Sequence, residues 1–381
     1  MKKILIVINN LAAGGAERVL IDILKNISKK KYSIDLLLFW KTGVYIENIP
    51  NEVNCTYIFK NYDRNSLYNY IQRIMLRFIV KYPRIIYLLK LKNKYDVEVA
   101  FLEGQPAIFV SNSPNFISKK IAWIHINMKL LRIKMKENRN RQELAAYNKM
   151  NAIFFVSNAV RTLFLEKFPI KKEIRLCTVY NPIDYQRILC QRDKIPDVIL
   201  DHDYFNIISI GQLEKRKGFD RLIQVALILT SIHKKIRFYI IGSGKEERDL
   251  KKKVEQFHLD EYIIFLGFMK NPYAVLKQGD LFFLPSYYEG LPTVLIEACI
   301  LGIPSLSSNC SGASEIINNK NGFIVSNESD QQFIKEAVAV IKKIISDKSI
   351  LSFLCDNLKQ EKIDLYYEDR VKYIEYLLDS I

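Results

Sequence analysis

Five short, apolar, β-branched runs in the second half of the chain occur at intervals of about 18 to 31 residues: FNIISI (205–210), IRFYII (236–241), YIIFL (262–266), DLFFLP (280–285) and IPSLSS (303–308). Runs of this length and composition are buried strands. The intervals hold one helix each, the βαβ spacing of a parallel sheet covered by helices. IAWI (121–124), AIFFV (152–156) and IRLCTVY (174–180) repeat the pattern in the first half. The chain therefore reads as an α/β protein. Residues 181–204 are the least periodic and most turn-rich, which places an interdomain linker there. A length of 381 residues agrees with two domains at about 150 residues per domain.

A composition 49% hydrophobic and 26% charged excludes disorder and collagen. Cys55, Cys177, Cys190, Cys299, Cys310 and Cys355 include no pair at CxxC or zinc-ligand spacing, so they read as buried thiols in a reducing compartment. Lys2 and Lys3 before Ile4–Ile8 imitate a signal peptide, but the apolar run is shorter than the roughly 7 to 15 residues such a segment needs. A first buried strand fits better. No segment reaches the ~18 apolar residues of a membrane span, so the expected location is the cytoplasm or a membrane surface.

The formal net charge of +16 is unevenly placed. Residues 1–190 carry 32 Lys and Arg against 14 Asp and Glu, or +18, and the remainder 25 against 27, or −2. The first half thus faces an anionic partner, either nucleic acid or anionic lipid. From Arg64 to Tyr95 there are eight basic residues and no acidic one. Arg73, Arg77, Lys81 and Arg84 recur at helical spacing, with Met75, Phe78, Ile79, Tyr82 and Ile86 opposite them and Pro83 expected to break or kink the helix. Such a pattern is either a surface helix with its apolar side on the core or an interfacial helix on anionic lipid. Lys129 and Arg132, in a second acid-free stretch (104–136), support the lipid reading. Aromatic platforms of the kind that bind single-stranded nucleic acid are sparse.

Glu289-Gly-Leu-Pro-Thr-Val-Leu-Ile-Glu297 is the most specific segment; it follows a predicted strand and starts a helix near Pro292, where a missing N–H is harmless. If the span is mostly helical, its two carboxylates lie ~12 Å apart. Glycosidase pairs sit about 5 to 9.5 Å apart, which speaks against a two-carboxylate hydrolase. The spacing suits a ligand with two polar ends bridged by phosphates that face the helix start. Gly211–Gly218 follows the second domain's first strand, at the edge where open α/β sheets bind ligands, and offers Arg216 and Lys217 to a diphosphate. Gly14 and Gly15 occupy the corresponding turn of the first domain. Gly242-Ser-Gly-Lys245 is no P-loop, because Tyr239 stands where the upstream glycine is needed. His125 follows a predicted strand and reads either as a satisfied core histidine or as a ligand-facing one. Asp201 and Asp203 flank His202 in the linker, a coincidental likeness to a metal-binding Asp-x-Asp.

In order, GGAER (14–18), WIH (123–125), YNPID (180–184), GQLEKRKGFDRLI (211–223), FLGFMKNPY (265–273) and PSYYEGLPTVLIEA (285–298) resemble the retaining glycosyltransferases of family 4, of the bacterial polysaccharide or lipopolysaccharide type. The resemblance spans nearly the whole chain. It implies the GT-B architecture: two Rossmann-like domains facing a cleft, with the last helix, about 366–380, crossing back to the first domain. The domains would be 1–185 with 366–381, binding the acceptor and facing the membrane, and 186–365, binding the donor. It implies a nucleotide-sugar donor, a UDP-sugar foremost, a saccharide acceptor on a lipid, no obligatory metal or other cofactor, and a place on the inner face of the cell membrane.

Carried over by residue, the resemblance gives Glu297 to the donor ribose and Glu289 to the sugar. Backbone from Gly290, Leu291, Pro292 and Thr293 would serve sugar and phosphate, and Lys217 would neutralise the diphosphate. Gly15 would lie against the β-phosphate and His125 near the reacting carbon. Gln212 departs from the family's common arginine, so either Arg216 substitutes or the donor binds more weakly. Retention is expected through same-face attack, with Glu289 as a transient nucleophile the alternative. A nucleotide-sugar epimerase or phosphorylase on the same fold, and a non-enzymatic membrane- or nucleic-acid-binding protein, are the competing functions.

Overall fold

Every strand expected from the apolar runs forms, and all pair in parallel. The computed structural model describes residues 1–12, 14–60, 67–91, 94–127, 137–360 and 368–381. It divides into two compact units, Met1–Ile183 with Tyr366–Ile381, and Asp184–Leu365.

The first unit contains β1 (Lys2–Ile8), β2 (Tyr32–Trp40), β3 (Asn54–Phe59), β4 (Val97–Ala100), β5 (Lys119–Ile124), β6 (Ala152–Phe155) and β7 (Arg175–Thr178), in the order β3-β2-β1-β4-β5-β6-β7. The signal-like run Ile4–Ile8 is buried in β1, paired on one side with β2 and on the other with β4. Helix Glu368–Ser380 packs on this unit. The Ser28 N–H donates to Glu375 Oε1 at 2.7 Å, Tyr32 Oη donates to Asp379 Oδ1 at 2.7 Å, and Arg175 Nη1 donates to Ser380 Oγ at 2.8 Å.

The second unit holds β8 (Phe205–Ile210), β9 (Ile236–Ile241), β10 (Ile263–Gly267), β11 (Leu281–Leu284), β12 (Ser305–Ser308) and β13 (Gly322–Val325), in the order β10-β9-β8-β11-β12-β13. Both sheets are α/β doubly wound, and each reverses its strand order once: between β1 and β4, and between β8 and β11. Ligands of open parallel sheets bind at the carboxyl ends of the strands flanking such a reversal.

Three expectations need correction. The stretch 181–204 is not plain linker: Tyr185–Arg192 is a helix whose start is capped by Asp184 Oδ1 accepting the Arg187 N–H at 2.9 Å. It belongs to the second unit, where Asn271 Nδ2 donates to Gln191 O at 2.8 Å. Two turns with Ile188 as the buried residue are too short to show periodicity. The thiols are not all buried: Cys55 and Cys190 are exposed and Cys355 is half-buried, and all six are free.

Third, helix Leu67–Lys81 does not turn Met75, Phe78 and Tyr82 to the core. These three are exposed, Ile79 is half-buried and Ile86 is buried. Apolar residues surround this helix, so periodicity alone leaves its rotation open. The Trp40 indole settles it by donating to Gln72 Oε1 at 3.2 Å, which draws Gln72, Leu76 and Val80 inward. A glutamine counts as polar in any pattern, yet here it is buried with its Oε1 bonded to Trp40.

Candidate functional site

In the second unit the loop after β8 meets the loop after β11, across the reversal. Gly218 makes the turn with φ +68°, and a Cβ there would lie 2.1 Å from Pro285 O, so only glycine fits. The Tyr287 N–H donates to Arg216 O at 2.9 Å and fixes the register of the two loops. The short 3₁₀ turn Lys215–Lys217 is thereby laid beside Glu289.

Glu289 is 7% exposed. Its Oε1 accepts from Lys217 Nζ at 2.7 Å and from Ser286 Oγ at 2.7 Å, and its Oε2 accepts from Arg216 Nη1 at 3.3 Å. Burial pushes its carboxyl up, but Lys217 and Arg216 outweigh burial and hold it below the usual carboxylate range. Arg216 also donates through Nε to Glu214 Oε2 at 3.4 Å, so two carboxylates hold the two cations in place at the edge to which the reversal directs a ligand.

Gly290, Leu291 and Pro292 are buried and lead into helix Thr293–Ile300, capped by Pro292, on which Glu297 is half-buried. Gly312, with φ +75°, follows β12; a Cβ there would lie 2.6 Å from Gly290 O, so this loop seats closely on the Glu289 segment only through a glycine. Gln212 is half-buried between β8 and this turn. A buried arginine supports the loop from behind. Arg221 donates to Asp330 Oδ1 at 2.7 Å and to Asn327 Oδ1 at 2.6 Å, and its guanidinium lies 3.7 Å from the centre of the Tyr287 ring. Asn327 Nδ2 in turn donates to Tyr287 O at 2.7 Å.

In the first unit the corresponding strand ends carry the glycines and the histidine. Gly14 caps helix Gly15–Asn26 in an extended conformation, φ −102°, so no left-handed backbone requires a glycine. A Cβ at Gly14 would instead meet the Glu17 carboxylate. Gly15 is exposed. His125, just past β5, stacks near Trp123 and Phe101, with ring centroids 5.8 and 4.7 Å away. Burial depresses its imidazole to about 3, so the ring is neutral near pH 7, and its buried Nε2 has no hydrogen-bond partner among the described residues.

Sequence reasoning missed two residues. Ser286, between Pro285 and Tyr287 with no charge to mark it, is one. The other is Glu103, just past β4, whose Oε2 accepts the His125 N–H at 3.2 Å. Burial pushes the Glu103 carboxyl up to about 7, against hydrogen bonds from its own and His125's backbone. The signal was available, because Glu103 is the acid bounding the acid-free stretch 104–136 at a predicted strand end.

Arg216, Lys217 and Glu289 are thus in direct contact, with Gly290–Thr293 and Glu297 in the segment that follows. Gly14 and Gly15 follow β1, at the first sheet's reversal, and His125 follows β5, one strand beyond β4. Arg73, Arg77, Lys81 and Arg84 are exposed on a separate face of the first unit, and Lys129 and Arg132 lie outside the described residues. Asp201 and Asp203 precede β8, at the amino end of the sheet, with Asp201 paired to Arg237 at 3.5 Å; they are remote from the ligand edge. A cavity of about 810 Å³ between helix Glu247–Gln256 and β10, lined by Lys251, Glu255 and Phe265 among others, touches neither Glu289 nor Lys217.

Two parallel-sheet Rossmann-like domains, each reversing its strand order once, match the GT-B fold of solved glycosyltransferases. Residues 191–361 match the family Glycosyl transferases group 1. An uncharacterized glycosyltransferase of Haemophilus influenzae is 25% identical over 338 residues, 88% of this chain and 89% of that protein. A Campylobacter jejuni enzyme named as an alpha-1,4-N-acetyl-D-galactosaminyltransferase acting on a GalNAc-containing diNAcBac-PP-undecaprenol is 25% identical over 366 residues, 94% of this chain and 93% of that one. The crystal structure of Anabaena HepE in complex with UDP and glucose superposes with a TM-score of 0.75 at 18% identity, covering all of both chains.

Proposed function

We propose that this glycosyltransferase moves a sugar, with retention of configuration, from a nucleotide-sugar donor to a saccharide acceptor carried on a lipid, in the assembly of a cell-surface glycan. The observation that carries the proposal is the Lys217–Glu289–Arg216 cluster at the β8/β11 reversal. A UDP-sugar is the first donor to test, since the HepE structure contains UDP. The Campylobacter relative's name supports a lipid-diphosphate acceptor.

When the sugar–phosphate bond breaks, negative charge grows on the departing diphosphate, and stabilising that charge is the main catalytic task. Lys217 and Arg216, held by Glu289 and Glu214, supply two preorganised cations to that charge, and charge-assisted contacts of this kind contribute roughly 1.5 to 3 kcal/mol each. This supports a reaction without a metal. Both oxygens of Glu289 are held by donors, which lowers their nucleophilicity and supports an anchoring role over a covalent intermediate. The acceptor hydroxyl then attacks from the face the diphosphate leaves, and a phosphate oxygen takes its proton. Glu297 reaches toward the ribose and Gly290–Thr293 toward sugar and phosphate in this reading, while Gly15 lies by the diphosphate. His125 meets the transferring sugar as a neutral donor or acceptor.

The basic first half docks on the anionic cytoplasmic leaflet through Arg73, Arg77, Lys81 and Arg84, each adding about 1 kcal/mol near the surface. Thermal shift against a panel of nucleotide sugars tests the donor, because bound ligand raises the melting temperature by mass action. Transfer to acceptor should follow with the stabilising sugar. Conversion of donor without acceptor would make the protein an epimerase, and dependence on free phosphate a phosphorylase. Absence of any stabilisation would overturn the proposal.

A further inference from the structure

The segment 67–91 has three faces. Its inward face is Gln72, Leu76, Val80 and Ile86, tied down by the Trp40 bond to Gln72 and by Asn112 Nδ2 donating to Val80 O at 3.3 Å. Pro83 keeps a helical φ of −70°, and the Tyr87 N–H reaches Pro83 O at 3.2 Å, so the coil continues past the break. A second face carries Ile71, Ile74, Phe78, Tyr82 and Ile85, at offsets 3, 7, 11 and 14 from the first, which align them in one stripe about 21 Å long. Each is 47% to 56% exposed, and Leu88 and Leu89, at 68%, extend the apolar surface. Arg73, Arg77, Lys81 and Arg84 flank the stripe on the third face.

We infer that this stripe is a membrane-insertion element, laid in the plane of an anionic bilayer with its Ile, Phe and Tyr side chains among the acyl chains and its basic flank at the phosphates. The inference deepens the membrane-docking reading above and rests on it. Exposed contiguous apolar surface marks an interaction site, and the absence of acidic residues from 64 to 95 selects an anionic occupant. A second copy of this chain would bring the same arginines and lysines face to face. Nucleic acid would leave the aliphatic side chains without stacking partners. Only a lipid interface meets both faces at once.

The consequence is a salt-resistant component of binding, since apolar insertion is not screened. Full-length protein is mixed with phosphatidylglycerol–phosphatidylcholine vesicles at 0.05 and 0.5 M salt. A measurable bound fraction should persist at 0.5 M, and Ile74→Ser with Phe78→Ser should reduce it at least tenfold. In a separate variant, Phe78→Trp should show emission shifted to the blue and quenched by brominated acyl chains, against native Trp40 and Trp123, which are buried. These positions are exposed, so an unchanged melting temperature verifies folding. Low-salt binding that vanishes entirely at 0.5 M, without quenching, would overturn insertion and leave electrostatic docking standing. No binding under any condition would overturn both. A lipid-free dimer abolished by Phe78→Ser would assign the stripe to a second copy and overturn the inference.

Discussion

The Lys217 ammonium donates to the Glu289 carboxylate at 2.7 Å, joining residues 72 positions apart and tying the loop after β8 to the loop after β11. The pair sits where the second sheet reverses its strand order, which is why two segments distant in sequence present one charged surface. With Arg216 on the other oxygen of Glu289 and on Glu214, the two carboxylates preorganise the two cations.

Lys217→Ala should therefore lower kcat about a hundredfold, the loss that follows removal of one preorganised charge donor. Its neighbour Arg216 stays on Glu289 and keeps part of the field, so activity should not vanish. Steady-state kinetics with the donor identified by thermal shift is the check. Turnover within a factor of two of wild type would mean that Lys217 does not face the leaving group.

The same contacts make Glu289 a determinant of acid stability. Its folded carboxyl titrates below the ordinary value of 4.5, so unfolding takes up a proton as the pH drops. The stability it contributes is present above about 4.5 and is lost as the pH falls through the folded value. Urea unfolding of Glu289→Gln should show a shallower decline than wild type below pH 4.5. Parallel curves would show that the cluster does not favour the ionised form.

Glu103 and His125 behave in opposite senses although one hydrogen-bonds the other's backbone. Glu103, raised to about 7, contributes stability that is complete below about pH 4.5 and is lost as the pH rises through 7. His125, lowered to about 3, contributes stability that is complete above about pH 6.5 and is lost as the pH falls through 3. Glu103→Gln should thus gain on wild type by about 2 to 3 kcal/mol between pH 4.5 and 8. Urea unfolding at both pH values tests it, and an unchanged difference would place the Glu103 carboxyl in contact with water.

The fold was readable because parallel strands buried on both faces leave continuous apolar runs, as in FNIISI and IRFYII. The second-unit site was readable too, because Arg216, Lys217 and Glu289 sit on loops immediately after strands. The rotation of helix Leu67–Lys81 was not, since Gln72 enters the core through one hydrogen bond to Trp40, a residue 32 positions away. Glu103 was missed for a related reason. Its place at a strand end beside an acid-free stretch was visible, but its upward shift comes from burial, against the hydrogen bond from the His125 backbone, and burial is set by the packing of distant segments.

Gly218 should be the most position-sensitive residue of the loop. Alanine there must adopt φ near +68° and also place a methyl 2.1 Å from the Pro285 carbonyl oxygen, a backbone atom that no rotamer change relieves. Left-handed strain alone costs about 1 kcal/mol, and displacement of the two loops brings the expected loss to about 2 to 3 kcal/mol. Moving them apart also breaks the 2.9 Å bond from the Tyr287 N–H to Arg216 O and withdraws both cations from Glu289. Gly218→Ala should therefore lower the urea midpoint and weaken donor stabilisation in thermal shift together. A variant that lost stability while keeping full donor stabilisation would show that the register of these loops does not set the anion site.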